Sequence, residues 1–144
     1  MSVDAKQAIR NAVEAELAAE RFYRLLADST DHDDSRAFLE EMASQERDHA
    51  EAIKKMGAEV VDGPLPEHAV GKVEGIETLP EWRFVDGISH VDALQVALAA
   101  ERQAALYYDA IAECFTGDVR KLFDDLSKAE EEHAQRIERL MQGD

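Results

Sequence analysis

Glu46-Arg47-Asp48-His49 and Glu130-Glu131-Glu132-His133 are two copies of Glu-x-x-His, one in each half of the chain. On a helix, a spacing of three puts the carboxylate and the imidazole on one face. A second echo lies upstream of each copy. Leu17-Ala18-Ala19-Glu20-Arg21 recurs, residue for residue, as Leu98-Ala99-Ala100-Glu101-Arg102. The pattern Glu … Glu-x-x-His thus occurs twice, Glu46 following Glu20 at nearly the offset at which Glu130 follows Glu101. Four Glu and two His supplied by four helices are the donor set of a carboxylate-bridged pair of metal ions.

The flanking residues say how these donors are carried. Apolar and ligand-type residues alternate at steps of three and four: Leu39, Met42, Glu46, His49, Ile53 and Met56 in one segment, Phe123, Leu126, Glu130, His133, Ile137 and Leu140 in another. Two further segments give Ile9, Val13, Glu16 or Leu17, Glu20, Tyr23 and Ala27, and Leu94, Leu98, Glu101, Ala105, Tyr108, Ala112 and Phe115. These are the seams of bundle helices, and the motif residues fall on them. The spacing predicts helices over about 4–28, 34–56, 90–115 and 118–142. Gly57 is expected to close the second helix, Ser89-x-x-Asp92 to cap the third, and Thr116-Gly117-Asp118 to separate the last two.

Residues 57–89 differ in character. All three prolines and five of the seven glycines lie there. So long a connection lets the third helix start at the end where the second started, giving an all-α, antiparallel four-helix bundle with one long crossover between helices 2 and 3, as in ferritin-like folds. Leu79, Trp82, Phe84 and Val85 are expected to pin the crossover to the bundle. The whole chain, 1–144, reads as a single domain.

In the simplest assignment Glu20 caps one metal and Glu101 the other, Glu46 and Glu130 bridge, and His49 and His133 hold one ion each. Oxygen and imidazole donors fit iron or manganese, or a mixed pair. Ions in such sites lie roughly 3.5–4 Å apart, within the reach of one small bridging molecule. Glu16 stands one turn before Glu20 and is open as a seventh ligand or as the true ligand of its helix, but the echo aligns it with Ala97, which favours Glu20 and leaves Glu16 as a helix-surface charge. Tyr23 and Tyr108 face the seam, either to hydrogen-bond a carboxylate or simply to fill the core. Asp48, Glu131, Glu132, His32, His68 and His90 read as surface residues, and Cys114 as a small buried hydrophobe.

Composition narrows the function classes. A net charge of −16 argues against nucleic acid and against anionic membranes. No apolar run approaches the roughly 20 residues that span a bilayer, and the first residues lack the apolar stretch of a secretory signal. The single cysteine excludes an internal disulfide and any Cys-x-x-Cys knuckle. A cytoplasmic protein is the expectation.

Glu20, Glu46-x-x-His49, the crossover, Glu101 and Glu130-x-x-His133 together resemble the ferritin-like di-iron family, and within it the rubrerythrin type. The resemblance implies two iron ions and chemistry with hydrogen peroxide or O₂. Full-length rubrerythrins also carry a rubredoxin-like Cys₄ module; this sequence has none, which implies a separate electron-donor protein. They carry an extra Glu three residues after the third-helix ligand, where Ala104 stands here, and this puts the specialised peroxide-reductase cycle in question. Two other readings keep the fold: an iron-binding or storage protein, and a structural or adaptor bundle without metal chemistry. Phe22, Leu25, Leu26, Leu106 and Ile111 exceed what one inward seam buries, so a homodimer is expected.

Overall fold

In the computed structural model four helices carry the chain: α1 (Ala5–Ser29), α2 (Asp33–Val60), α3 (His90–Glu113) and α4 (Gly117–Met141). Residues 5–31, 33–60 and 82–143 are described, without the side chain of Val60. No strand occurs among them. α1 packs along α2 and α3 along α4, and the two hairpins meet through α2 against α4 and α1 against α3. This is a ferritin-like bundle.

Its interior is layered. One apolar cluster joins Ile9 and Val13 of α1, Ile53 of α2, Tyr107, Tyr108 and Ile111 of α3, and Phe123 of α4. The other joins Phe22, Tyr23 and Leu26, Leu39 and Met42, Leu94, and Ile137. Early residues of α1 and α4 therefore share a layer with late residues of α2 and α3. Each helix is antiparallel to both neighbours, and α3 begins at the end of the bundle where α2 began. Between the layers lie Glu16, Glu46, Glu101, Glu130 and His133, all buried. At roughly 25 cal/mol per Å² of apolar surface buried, the two layers supply the stability that holds this polar stratum in place.

The helix ends follow local chemistry. Ser89 caps α3, its Oγ accepting from the Asp92 N–H at 3.1 Å. α1 has no basic residue in its last turn. Arg36 of α2 supplies the missing charge, donating through Nη2 to the Thr30 carbonyl at 2.7 Å and through Nε to that of Ala27 at 3.4 Å. Gly117 opens α4 at φ +65°, a left-handed conformation that a Cβ would strain.

Several expectations are corrected. Gly57 does not close α2, which runs three residues further. Its value lies in close approach: a Cβ there would stand 2.7 Å from Ile9 Cγ2, so glycine lets α1 and α2 touch. Phe22, Leu26 and Ile111, expected on a partner surface, are buried within the chain. Phe22 is covered by Trp82 and Phe84, with ring centroids 5.4 and 6.0 Å away. Only Leu25 (48%) and Leu106 (56%) of that set are exposed. Val85 is exposed instead of packed into the core, while Leu79 lies outside the described residues. Cys114 is exposed, its Sγ 3.4 Å from the Ala110 carbonyl. No helix among the described residues is long and apolar enough to cross a membrane.

Candidate metal centre

Each helix lends donors to the stratum at the turn that passes mid-bundle: Glu16 from α1, Glu46 and His49 from α2, Glu101 from α3, Glu130 and His133 from α4. They form two overlapping groups, Glu16–Glu46–His49–Glu130 and Glu46–Glu101–Glu130–His133. Within each, one ligand atom per residue lies within 4.8 Å of the others. Glu46 and Glu130 belong to both, the relation that two bridging carboxylates would have. His49 Nδ1 stands 3.3 Å from Glu46 Oε1, 3.3 Å from Glu130 Oε1 and 3.6 Å from Glu16 Oε1. His133 Nδ1 stands 2.9 Å from Glu46 Oε1 and 3.6 Å from Glu101 Oε2. The two imidazoles stack, with centroids 5.3 Å apart and planes 16° from parallel.

The polar atoms are close but poorly matched as hydrogen bonds. Both oxygens of Glu46, Nδ1 of His49 and of His133, Oε2 of Glu101 and Oε1 of Glu130 are buried without a hydrogen-bond partner. Each unsatisfied buried group costs about 1–3 kcal/mol. A cation among them would satisfy them together, and the donor set of carboxylate oxygens and imidazoles suits iron or manganese. The residues fit a pair of such ions.

A family model for rubrerythrin matches residues 7–86 and 92–143. The chain belongs to the rubrerythrin family. No curated protein matches it. Two solved structures share the bundle, each at 20% identity and a TM-score of 0.76. One is a hypothetical protein from Pyrococcus furiosus, with 96% of this chain and 89% of that one covered. The other, from Thermotoga maritima, is titled as a candidate ferritin-like diiron-carboxylate protein, with 99% and 97% covered. At this identity the likeness speaks for the fold. The Glu/His cluster within this rubrerythrin-family fold fits a diiron protein.

In this rubrerythrin-family chain five of the six residues expected from sequence meet at one place: Glu46, His49, Glu101, Glu130 and His133. Glu20 does not join them. Arg24 donates to its Oε2 through Nε and Nη2 at 3.2 and 3.1 Å, and Arg47 Nη1 approaches its Oε1 at 3.5 Å. Glu16, read from sequence as a surface charge, is buried and occupies the place proposed for Glu20. Asp48, Glu131 and Glu132 are exposed as expected, and His90 is half-buried at the start of α3. His32 and His68 lie outside the described residues.

The tyrosines bind carboxylates across the bundle. Tyr23 of α1 donates to Glu101 Oε1 of α3 at 2.9 Å, and Tyr108 of α3 to Glu16 Oε1 of α1 at 3.5 Å. Burial, then the neighbouring carboxylates (Glu101 first for Tyr23, Glu16 for Tyr108), raises both phenols well above the usual tyrosine range, which keeps them as donors. With no cation bound, burial and the charges of Glu130 and Glu46 raise the carboxyls of Glu16 and Glu101 well above the usual range. Burial opposes charge on His49 as well. Its contacts with Glu130, Glu16 and Glu46 prevail, and its pKa is pushed up to about 12. Burial likewise raises Glu130, but its close contacts with Glu101 and His49 and the charge of His133 bring it down to about 2. The metal-free site thus holds extra protons that a cation would displace.

Proposed function

We propose that this protein is a di-iron carboxylate oxidoreductase acting on hydrogen peroxide or O₂, as a rubrerythrin-like peroxidase or a ferroxidase. Its six ligands are Glu16, Glu46, His49, Glu101, Glu130 and His133, with Glu16 in the role first given to Glu20. The observation that carries the reading is the pair of overlapping Glu/His groups sharing Glu46 and Glu130, their inward atoms buried and unsatisfied.

Glu46 and Glu130 would bridge, Glu16 and His49 would complete one position, and Glu101 and His133 the other. Two Fe(II) ions held by these residues would supply the two electrons that, with two protons, convert hydrogen peroxide to two waters. Tyr108 and Tyr23 hold the two terminal carboxylates in place through their O–H groups. The apolar layers above and below limit water, so charge on the donors is felt at low effective dielectric. His49, with 24% of its side chain exposed, marks the side on which a small oxidant reaches the centre.

Electrons returning to the centre would come from a separate donor protein. A cytoplasmic homodimer meeting through Leu25 and Leu106 is part of the proposal; light scattering that gave a mass near 16.1 kDa would refute the dimer.

Anaerobic loading with Fe(II) followed by metal analysis should return two irons per chain. Rapid mixing with peroxide or O₂ should then produce the near-ultraviolet absorption of oxidised iron. Peroxide faster than O₂ supports the peroxidase, and the reverse order supports the ferroxidase. Many irons per chain in a hollow assembly would support storage instead, and a metal content near zero would overturn the di-iron reading.

A further inference from the structure

His133 has a support that His49 lacks. Its Nε2 lies 2.9 Å from Gln45 Oε1, on the side of the ring away from the carboxylates. Arg136 Nη1 donates to the same oxygen at 3.1 Å. A guanidinium only donates, so the atom between it and His133 is the amide oxygen, and His133 must in turn donate from Nε2. Nδ1, aimed at Glu46 and Glu101, is then the nitrogen left to bind a cation. Arg136 is itself anchored by Nη2 to Glu41 Oε2 at 2.6 Å and lies over the Phe38 ring, 5.3 Å from its centroid.

The internal repeat shows what is missing in the other half. Matching His49 to His133 pairs Gln45 with Ala129 and Arg136 with Ala52. Neither alanine can accept from an imidazole or orient an acceptor. Among the described residues no hydrogen bond holds Nε2 of His49, whose side chain is 24% exposed against 6% for His133.

We propose that Gln45 and Arg136 are positioning residues that lock His133 in its Nε2–H tautomer and make the two metal positions unequal, the His133 position binding more tightly. The inference rests on the two-ion reading above. Partners in the outer shell of a metal-bound histidine fix its ring and raise its basicity, and their loss costs about 10–100-fold in affinity.

Zn(II), diamagnetic and without redox chemistry, is the probe. Titration of the metal-free protein should resolve two binding steps about tenfold or more apart. Nitrogen-15 spectra of the loaded protein should show a slowly exchanging Nε2 proton on His133 and a fast-exchanging one on His49. Gln45→Ala should weaken the tighter step about tenfold, leave the other in place and release the His133 proton to exchange. Gln45→Glu, which keeps an acceptor, should restore both.

A reciprocal variant, Ala129→Gln with Ala52→Arg, lies at half-buried and exposed positions and does not depend on Gln45→Ala folding. It should narrow the gap between the steps and slow the His49 proton. Two ions bound with both steps and both protons unchanged by Gln45→Ala, or by the reciprocal pair, would overturn the inference while leaving the two-ion reading standing. A wild-type protein that binds no Zn(II) would overturn both.

Discussion

Glu16→Gln and Glu20→Gln, made one turn apart on α1, should behave as opposites. Glu16 stands within 4.8 Å of Glu46, His49 and Glu130, and removing its charge takes one donor from one metal position. Suppose metal is supplied at about 100 times the wild-type Kd; ligand linkage then stabilises the folded chain by about 2.7 kcal/mol. A 100-fold loss of affinity at that position leaves about 0.4 kcal/mol at the same metal concentration, a drop of about 2.3 kcal/mol. For a chain of this size that is a shift of about 5–9 °C in melting temperature. Without metal the sign reverses, because an amide has no ionised form for burial and the charges of Glu130 and Glu46 to oppose; the metal-free variant should melt at or above wild type. Glu20→Gln gives up only its contacts with Arg24 and Arg47 near the surface, worth about 0–1 kcal/mol, and its metal-dependent gain should match wild type. Calorimetric scans of the three proteins, with and without Mn(II) or anaerobic Fe(II), measure all of this. Loss of the metal-dependent gain in Glu20→Gln with its retention in Glu16→Gln would refute the assignment of Glu16.

Tyr23→Phe should cost about 1–3 kcal/mol in urea denaturation, because Glu101 Oε1 loses its donor inside the bundle. Gly57→Ala should cost about 1–3 kcal/mol by pushing a methyl against Ile9 Cγ2, and Ile9→Leu, which lacks that branch, should recover part of it. Metal-free protein should lose stability as pH rises above the ordinary carboxyl value of 4.5, with His49 adding to the loss from 6.5 towards about 12. Glu16, Glu101 and His49 all have folded pKa values above their unfolded ones, so their contribution is full below the unfolded values and fades as pH rises through the folded ones. Glu130, lowered to about 2, acts oppositely and only on the acid side, its contribution fading as pH falls below the usual 4.5. The stabilisation conferred by metal should grow as pH rises over that range, as protons leave the donors; a metal-free melting temperature that rises with pH above about 5 would contradict this account.

The bundle was legible because period and punctuation agreed. Seams at steps of three and four located four helices, and the long connection implied which ends meet. Most of the centre was legible for the same reason, since Glu-x-x-His on a seam can only point inward. Glu16 was ranked below Glu20 because the more conspicuous repeat was out of register. The offset that carries Glu20 onto Glu101 in the Leu-Ala-Ala-Glu-Arg echo falls three short of the one that carries Glu46 onto Glu130. Such a slip is almost one helical turn, so the echo selected the neighbouring carboxylate. A quieter repeat held the register: Tyr23 follows Glu16 at the same spacing as Tyr108 follows Glu101, and the two pairs are related by almost the offset of the Glu-x-x-His motifs. Those tyrosines bind the opposite half's glutamate, which is why that spacing recurs. Gln45 and Arg136 carried no such sign, because they interact across α2 and α4 and the repeat has no equivalent of them. The end of α2 was misplaced for another reason: Gly57 looks like a terminator but serves a helix–helix contact, and only the position of Ile9 distinguishes the two.

The two apolar clusters on either side of the donors bear on the order of events in the life of the chain. Each draws residues from all four helices, so each ties the hairpins together without help from the layer between them. Maturation should therefore run in sequence: the polypeptide first acquires its architecture, with protons as temporary occupants of the carboxylates, and ions arrive later at a finished cage. Chelators should then leave an intact scaffold that can be recharged, and the pace of recharging should follow local opening around His49 rather than the rate of refolding.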